Sequence, residues 1–138
     1  MHTAQMEVAV RVMRVLGERF VEPEDPLPEN LQIAVNMNIG KIERQGNSAK
    51  CKFVMDVSYM PSIARITVEG RVITRGSQDE MERLISDVKE GKLPAPIVQS
   101  VYTVGTSEII IVCRSIGVPP PLPPIPQPKS EEGIGYSL

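Results

Sequence analysis

The sequence lacks tryptophan altogether and holds only two phenylalanines and three tyrosines in 138 residues. A core made without aromatics must be aliphatic, built from Val, Ile, Leu and the seven Met. One histidine and two cysteines are too few for a metal centre, which needs several such ligands at set spacing. His2 lies in the N-terminal stretch, so neither a Ser–His–Asp triad nor a Cys–His pair is legible. No glycine-rich phosphate loop occurs: Thr74-Arg75-Gly76-Ser77 has one glycine and no Lys-Ser/Thr after it. The acidic pairs have plain readings. Glu22, Glu24, Asp25, Glu131 and Glu132 lie in loop and tail, where water solvates them. Asp79 and Glu80 stand at a helix start, where the backbone dipole favours them. No catalytic, cofactor-binding or metal-binding residue is therefore expected, and the chain is read as a non-enzyme.

Other absences bound where the protein works. The net charge is −2, and the Lys and Arg residues are scattered among acids. A nucleic-acid binder usually carries a basic stripe, so nucleic acid is not an expected partner. No run approaches the roughly 20 apolar residues of a membrane span. No basic leader followed by an apolar stretch stands at the N-terminus. A cytoplasmic location without membrane insertion is the expectation. Cys51 and Cys113 both fall among apolar residues, which suits buried thiols, with a disulfide as the lesser alternative.

What is present is alternation. Apolar residues recur with period two over Met6 to Val12, Leu31 to Ile39, Cys51 to Tyr59 and Ala64 to Val72. That period predicts strands with one buried face, as in an antiparallel sheet covered on one side. Arg44 to Ser48 is a hairpin turn, with Gly46 and Asn47 expected to supply positive φ. Met60-Pro61-Ser62 turns the third strand into the fourth, and Pro23, Pro26 and Pro28 mark a long surface loop after the first.

A helix follows. Ser77 and Glu80 form a capping box, Met81, Leu84, Ile85 and Val88 share one face, and Gly91 ends it. The stretch 96–116 admits two readings. Its β-branched residues allow a hairpin turning at Gly105-Thr106-Ser107. Its ends favour a helix, with Pro94 and Pro96 at entry and Gly117 before three prolines at exit. On that reading Val98, Val101, Gly105, Ile109, Val112 and Ile116 share a face, at about 1 kcal/mol for the glycine. The segment 118–128 is proline-rich and must be extended or polyproline II. Pro121-Leu122-Pro123-Pro124 offers a P-x-x-P ligand, but a strap over the chain's own domain is favoured, with Pro121, Leu122 and Ile125 making the contacts. Residues 129–138 are expected to form a flexible tail.

The fold class is thus α+β. A four-stranded antiparallel meander has one face covered by two C-terminal helices, and a proline-rich extended tail follows. Residues 1–128, including the strap, make one domain. The element order, the Ile66-Thr67-Val68-Glu69-Gly70 stretch and the ending Arg114-Ser115-Ile116-Gly117-Val118-Pro119-Pro120-Pro121-Leu122-Pro123 together resemble the SecB-like family, archaeal members especially. The resemblance spans roughly residues 6–126 and rests on patterns and one proline segment. It implies a dimer or dimer of dimers, and a holdase that keeps unfolded or nascent polypeptides soluble without ATP. Some relatives instead look after one dedicated partner, a toxin–antitoxin pair.

On that expectation clients bind exposed aliphatic and Met-rich surface, with an edge strand as a second handle. Phe53, Met55, Tyr59, Met60 and Ile63 are the candidates, although inward alternation also suits Phe53 and Met55 to the core. Met60 and Ile63, at a turn, are the ones expected to be exposed. A structural protein whose apolar face is consumed by its own oligomer is the alternative.

Overall fold

The computed structural model describes residues 6–121 and the backbone of 136–137. Its elements are β1 (Glu7–Arg19), β2 (Gln32–Ile39), β3 (Glu43–Gln45), β4 (Ser48–Met60), β5 (Ala64–Arg75), α1 (Gln78–Lys89), α2 (Ala95–Ile116) and β6 (Tyr136–Ser137). Every strand pair is antiparallel, in the order β1-β5-β4-β2-β6, with β3 beside β4. The α+β class and the four expected strands are all present. Two short strands add to them. β3 continues along the side of β4 that β2 occupies, and β6 places the backbone of Tyr136–Ser137 against β2.

Alternation fixes which face is buried. Cys51, Phe53, Met55, Val57 and Tyr59 of β4 and Ala64, Ile66, Val68 and Val72 of β5 point to the core. Side chains between them point outward, because successive Cβ atoms of a strand face opposite ways. Each fully buried aliphatic contributes about 1.5–3 kcal/mol of transfer free energy, so an aromatic-poor core is sufficient. The β3–β4 turn holds Gly46 at φ 60°. Asn47 does not share that role: among the described residues only glycines have positive φ. One residue in the left-handed region is enough to close this turn.

β1 runs beyond Val12, to Arg19. The register slips between Val12 and Arg14, so Met13 is an extra, bulged residue. A bulge resets the period of two. Val8, Val10 and Val12 face the helices before it; Val15, Gly17 and Arg19 do so after it, while Arg14, Leu16 and Glu18 turn outward.

α1 has the full capping box. The Glu80 amide donates to Ser77 Oγ at 3.1 Å, and the Ser77 amide donates to Glu80 Oε1 at 2.7 Å. Gly91 follows at φ 82°, as its place predicts. The stretch 96–116 is helix, not hairpin. Pro96 stands in its first turn, and Gly117 ends it at φ 73°, its amide donating to the Cys113 carbonyl at 2.8 Å. The buried stripe is Ile97, Val101, Gly105, Ile109 and Cys113, a strict i, i+4 row. Gly105 sits where a Cβ would collide with Met55 Sδ, and Gly17 where one would collide with Val112 Cγ1. Bare glycines on both surfaces let α2 lie close over the sheet, along β1 and β5.

By length and composition α2 is apolar enough to cross a membrane, a measure that core helices also meet, and its stripe packs on the sheet. Only 28% of its most apolar stretch is buried.

Candidate functional site

The five residues singled out from the sequence separate into two groups. Phe53, Met55, Tyr59 and Ile63 are core, each 3% exposed or less. Met60 alone is on the surface, at 67%. For Ile63 this is a correction. Its amide bonds back to the Pro61 carbonyl at 2.8 Å, and its own carbonyl accepts from the Phe20 amide at 2.8 Å. The turn is therefore tied to the end of β1, and the Ile63 side chain is tucked inward.

Tyr59 is buried with its hydroxyl satisfied. The phenol donates to the Pro119 carbonyl at 2.7 Å and lies 3.4 Å from Cys113 Sγ. Burial, then the Cys113 contact, raises its pKa well above the ordinary tyrosine value. This bond fixes the start of the proline segment on its own domain, where Val118 is buried and Pro121 half-buried. Leu122 and Ile125, the other expected strap contacts, lie outside the described residues, as do positions 129–135 of the expected tail.

Both cysteines are free and buried. Burial pushes the Cys51 thiol up to about 11 and raises Cys113, for which the Tyr59 contact acts the other way. A thiol held protonated is a poor nucleophile and a poor metal ligand. Among the described residues, no three His, Cys, Asp or Glu side chains converge as a metal site.

The conspicuous surface lies elsewhere. β1 is an edge strand of 13 residues, with no partner on its outer side among the described residues. Such an edge presents unpaired N–H and C=O groups. Met13 at the bulge, Val15, Leu16 and Phe20 are all exposed along it, Met13 at 65% and Phe20 at 53%. Ile110 and Ile111 add exposed aliphatic surface on α2, the helix that lies over β1. Exposed apolar groups beside an open edge are what an extended polypeptide can use: backbone bonds without sequence preference, and side-chain contacts beside them.

The sequence carried two signals of this surface. Val12-Met13-Arg14-Val15-Leu16 breaks the alternation, leaving apolar residues on both faces of one strand. Ile109-Ile110-Ile111 places three isoleucines in a row on a helix with a one-sided core, so not all can be buried. No family model, no curated protein and no solved structure matches the chain.

Proposed function

We propose that this chain is a polypeptide-binding protein, an ATP-independent holdase or the dedicated chaperone of one partner, with β1 as its working edge. The observation that carries this reading is the open 13-residue edge strand lined by exposed Met13, Val15, Leu16 and Phe20. The bulge at Met13 and the charges of Arg11, Arg14 and Glu18 blunt this edge in part, but its exposed apolar groups stay open to another chain. Met is suited to varied partners, since its unbranched chain adapts to many surfaces. The resemblance of the element order and proline segment to the SecB-like family, read from the sequence, favours the same activity. The function needs no nucleotide, because capture and release follow from affinity alone.

Self-association as a homodimer or homotetramer draws on the same apolar surface, so it competes with client capture. The second reading follows from the exposed Ile110 and Ile111. If α2 and β1 are covered permanently by another copy, the protein is a structural homo-oligomer without clients.

The test is aggregation suppression. A chemically unfolded model substrate is diluted into buffer with the purified protein, sized by light scattering, and no nucleotide. Suppression near stoichiometric ratios, weakened by Phe20→Asp, is expected. A stable oligomer that leaves aggregation unchanged would contradict the chaperone reading and favour the structural one.

A further inference from the structure

The face of the sheet turned away from α2, uncovered among the described residues, carries a row of like charges. Register sets Arg11 opposite Arg71, and Arg71 opposite Lys52, so three cations stand side by side across β1, β5 and β4. Directly opposed residues lie about 4.5–5.5 Å apart at Cα. Like charges so placed are destabilising. Arg14, one step along β1, brings a fourth cation.

A single carboxylate stands among them. Glu69 accepts from Arg14 at 2.7 Å and lies 3.9 Å from Lys52. The Arg14 bond holds its carboxyl below the usual range, and the charges of Lys52 and Arg71 act in the same direction. Among the described residues, neither Arg11 nor Arg71 has a carboxylate oxygen within 4 Å. Their guanidinium groups donate only to nearby backbone, at Val10 and Gly70. Four cations around one carboxylate make a local positive field on a chain whose net charge is −2.

The neighbourhood narrows the ligand. Ile73 flanks the row on one side, Val54 on the other, both half-buried on the same face. Beyond Glu69 the face turns mixed: a depression of about 330 Å³ there is lined by Glu18, Asp56 and Glu69 with Arg14 and Arg65, so the cationic row ends at Arg14 and Lys52. None of the four aromatics with described side chains stands there for a base to stack on: Phe53 and Tyr59 face the core, Phe20 lies beyond the end of β1, and Tyr102 is on α2. Single-stranded nucleic acid is gripped chiefly by such stacking. Carboxylates alternating with small aliphatic groups match the row and its flanks.

We propose that this sheet face docks an acidic polypeptide segment, its carboxylates over Arg11, Arg71 and Lys52 and its aliphatic groups over Ile73 and Val54. The site takes Arg11 from β1 but lies on the face of the sheet rather than along its open edge, and its occupant is recognised by charge.

The test uses the full chain and a fluorescein-labelled twelve-residue peptide of alternating Glu and Ala, read by anisotropy in low salt. A Lys–Ala peptide and a thymidine dodecamer of the same format are the comparators. The acidic peptide is expected to bind tightest. Arg71→Gln should weaken it about three-fold and Arg11→Gln with Arg71→Gln about ten-fold, as for charge pairs at a partly exposed contact. Arg83→Gln, on the exposed side of α1, should leave it unchanged. No binding, equal loss from Arg83→Gln, or tighter binding of the oligonucleotide would overturn the proposal. Thermal melting supplies an independent reading. Arg71→Gln should melt at or above wild type in low salt, and the acidic peptide should raise the melting temperature of wild type more than that of Arg71→Gln. A marked loss of stability in Arg71→Gln would make the row structural and overturn its assignment as a site.

Discussion

The guanidinium of Arg19, at the end of β1, donates to the carbonyl of Gly117, at the end of α2, at 2.8 Å. The same group reaches the Ile116 carbonyl at 3.2 Å, and its other nitrogens bond Val21 and Glu22 carbonyls at 2.9 and 3.1 Å. A cation at the end of a helix satisfies carbonyls that have no intrahelical partner and complements the dipole. Arg19 thereby joins the edge strand, the loop after it and the long helix. Arg19→Ala should cost about 2 kcal/mol in urea unfolding, the range for hydrogen bonds to a charged group. Arg19→Lys should recover only part, because an ammonium keeps the charge but cannot span several carbonyls as the planar fork does.

Gly105→Ala reverses the usual helix rule. In an open helix the change stabilises by about 1 kcal/mol. Here the new methyl collides with Met55 Sδ, and Met55 is fully buried. Overpacking costs about 1–3 kcal/mol, so a net loss of stability is expected. Combining it with Met55→Ala should cost less than the sum of the two single changes, because each relieves the other. Denaturant unfolding of the four proteins measures the coupling.

Alkaline pH should loosen the contact of the proline segment. The folded state raises the Tyr59 pKa above its ordinary value of 10.0. An acid raised in this way binds its proton more tightly in the folded state, so its contribution is whole below pH 10 and lost as pH climbs beyond it. Tyr59→Phe should remove that part of the decline and lower stability at neutral pH by about 1 kcal/mol, through loss of the bond to Pro119. Cys51, raised from 9.0 to about 11, and Cys113, also raised by burial, leave slopes of the same sign in the variant. Unfolding curves from pH 7 to 11 separate the Tyr59 part from that of the thiols.

The parts of the fold that follow a single period could be read from the sequence. β2, β4 and β5 alternate cleanly because each buries one face, and α1 declares itself through Ser77, Glu80 and Gly91. The far half of β1 could not be read, because the bulge at Met13 shifts the alternation by one residue. α2 was ambiguous for a related reason. Its β-branched residues and Gly105 argue against a helix locally, and only the close approach to Met55 explains the glycine. The candidate surface suffered most. Phe53, Met55 and Tyr59 alternate inward and are core, and Ile63 is drawn in by backbone bonds to Pro61 and Phe20 that no pattern announces. Nor could the Arg11–Arg71–Lys52 row be read without the strand register.

The most direct test of the chaperone reading is hydrogen–deuterium exchange of β1, followed with and without an unfolded client over a range of protein concentrations. The account predicts that the β1 amides between Met13 and Arg19 that point away from β5 exchange fast in dilute protein and slow when client is added, while those bonded to β5 and the Phe20 amide, bonded to Ile63, stay slow in both. Protection of the outward-pointing amides that persists on dilution and does not change with client would contradict it, and would assign the edge to a permanent homo-oligomer.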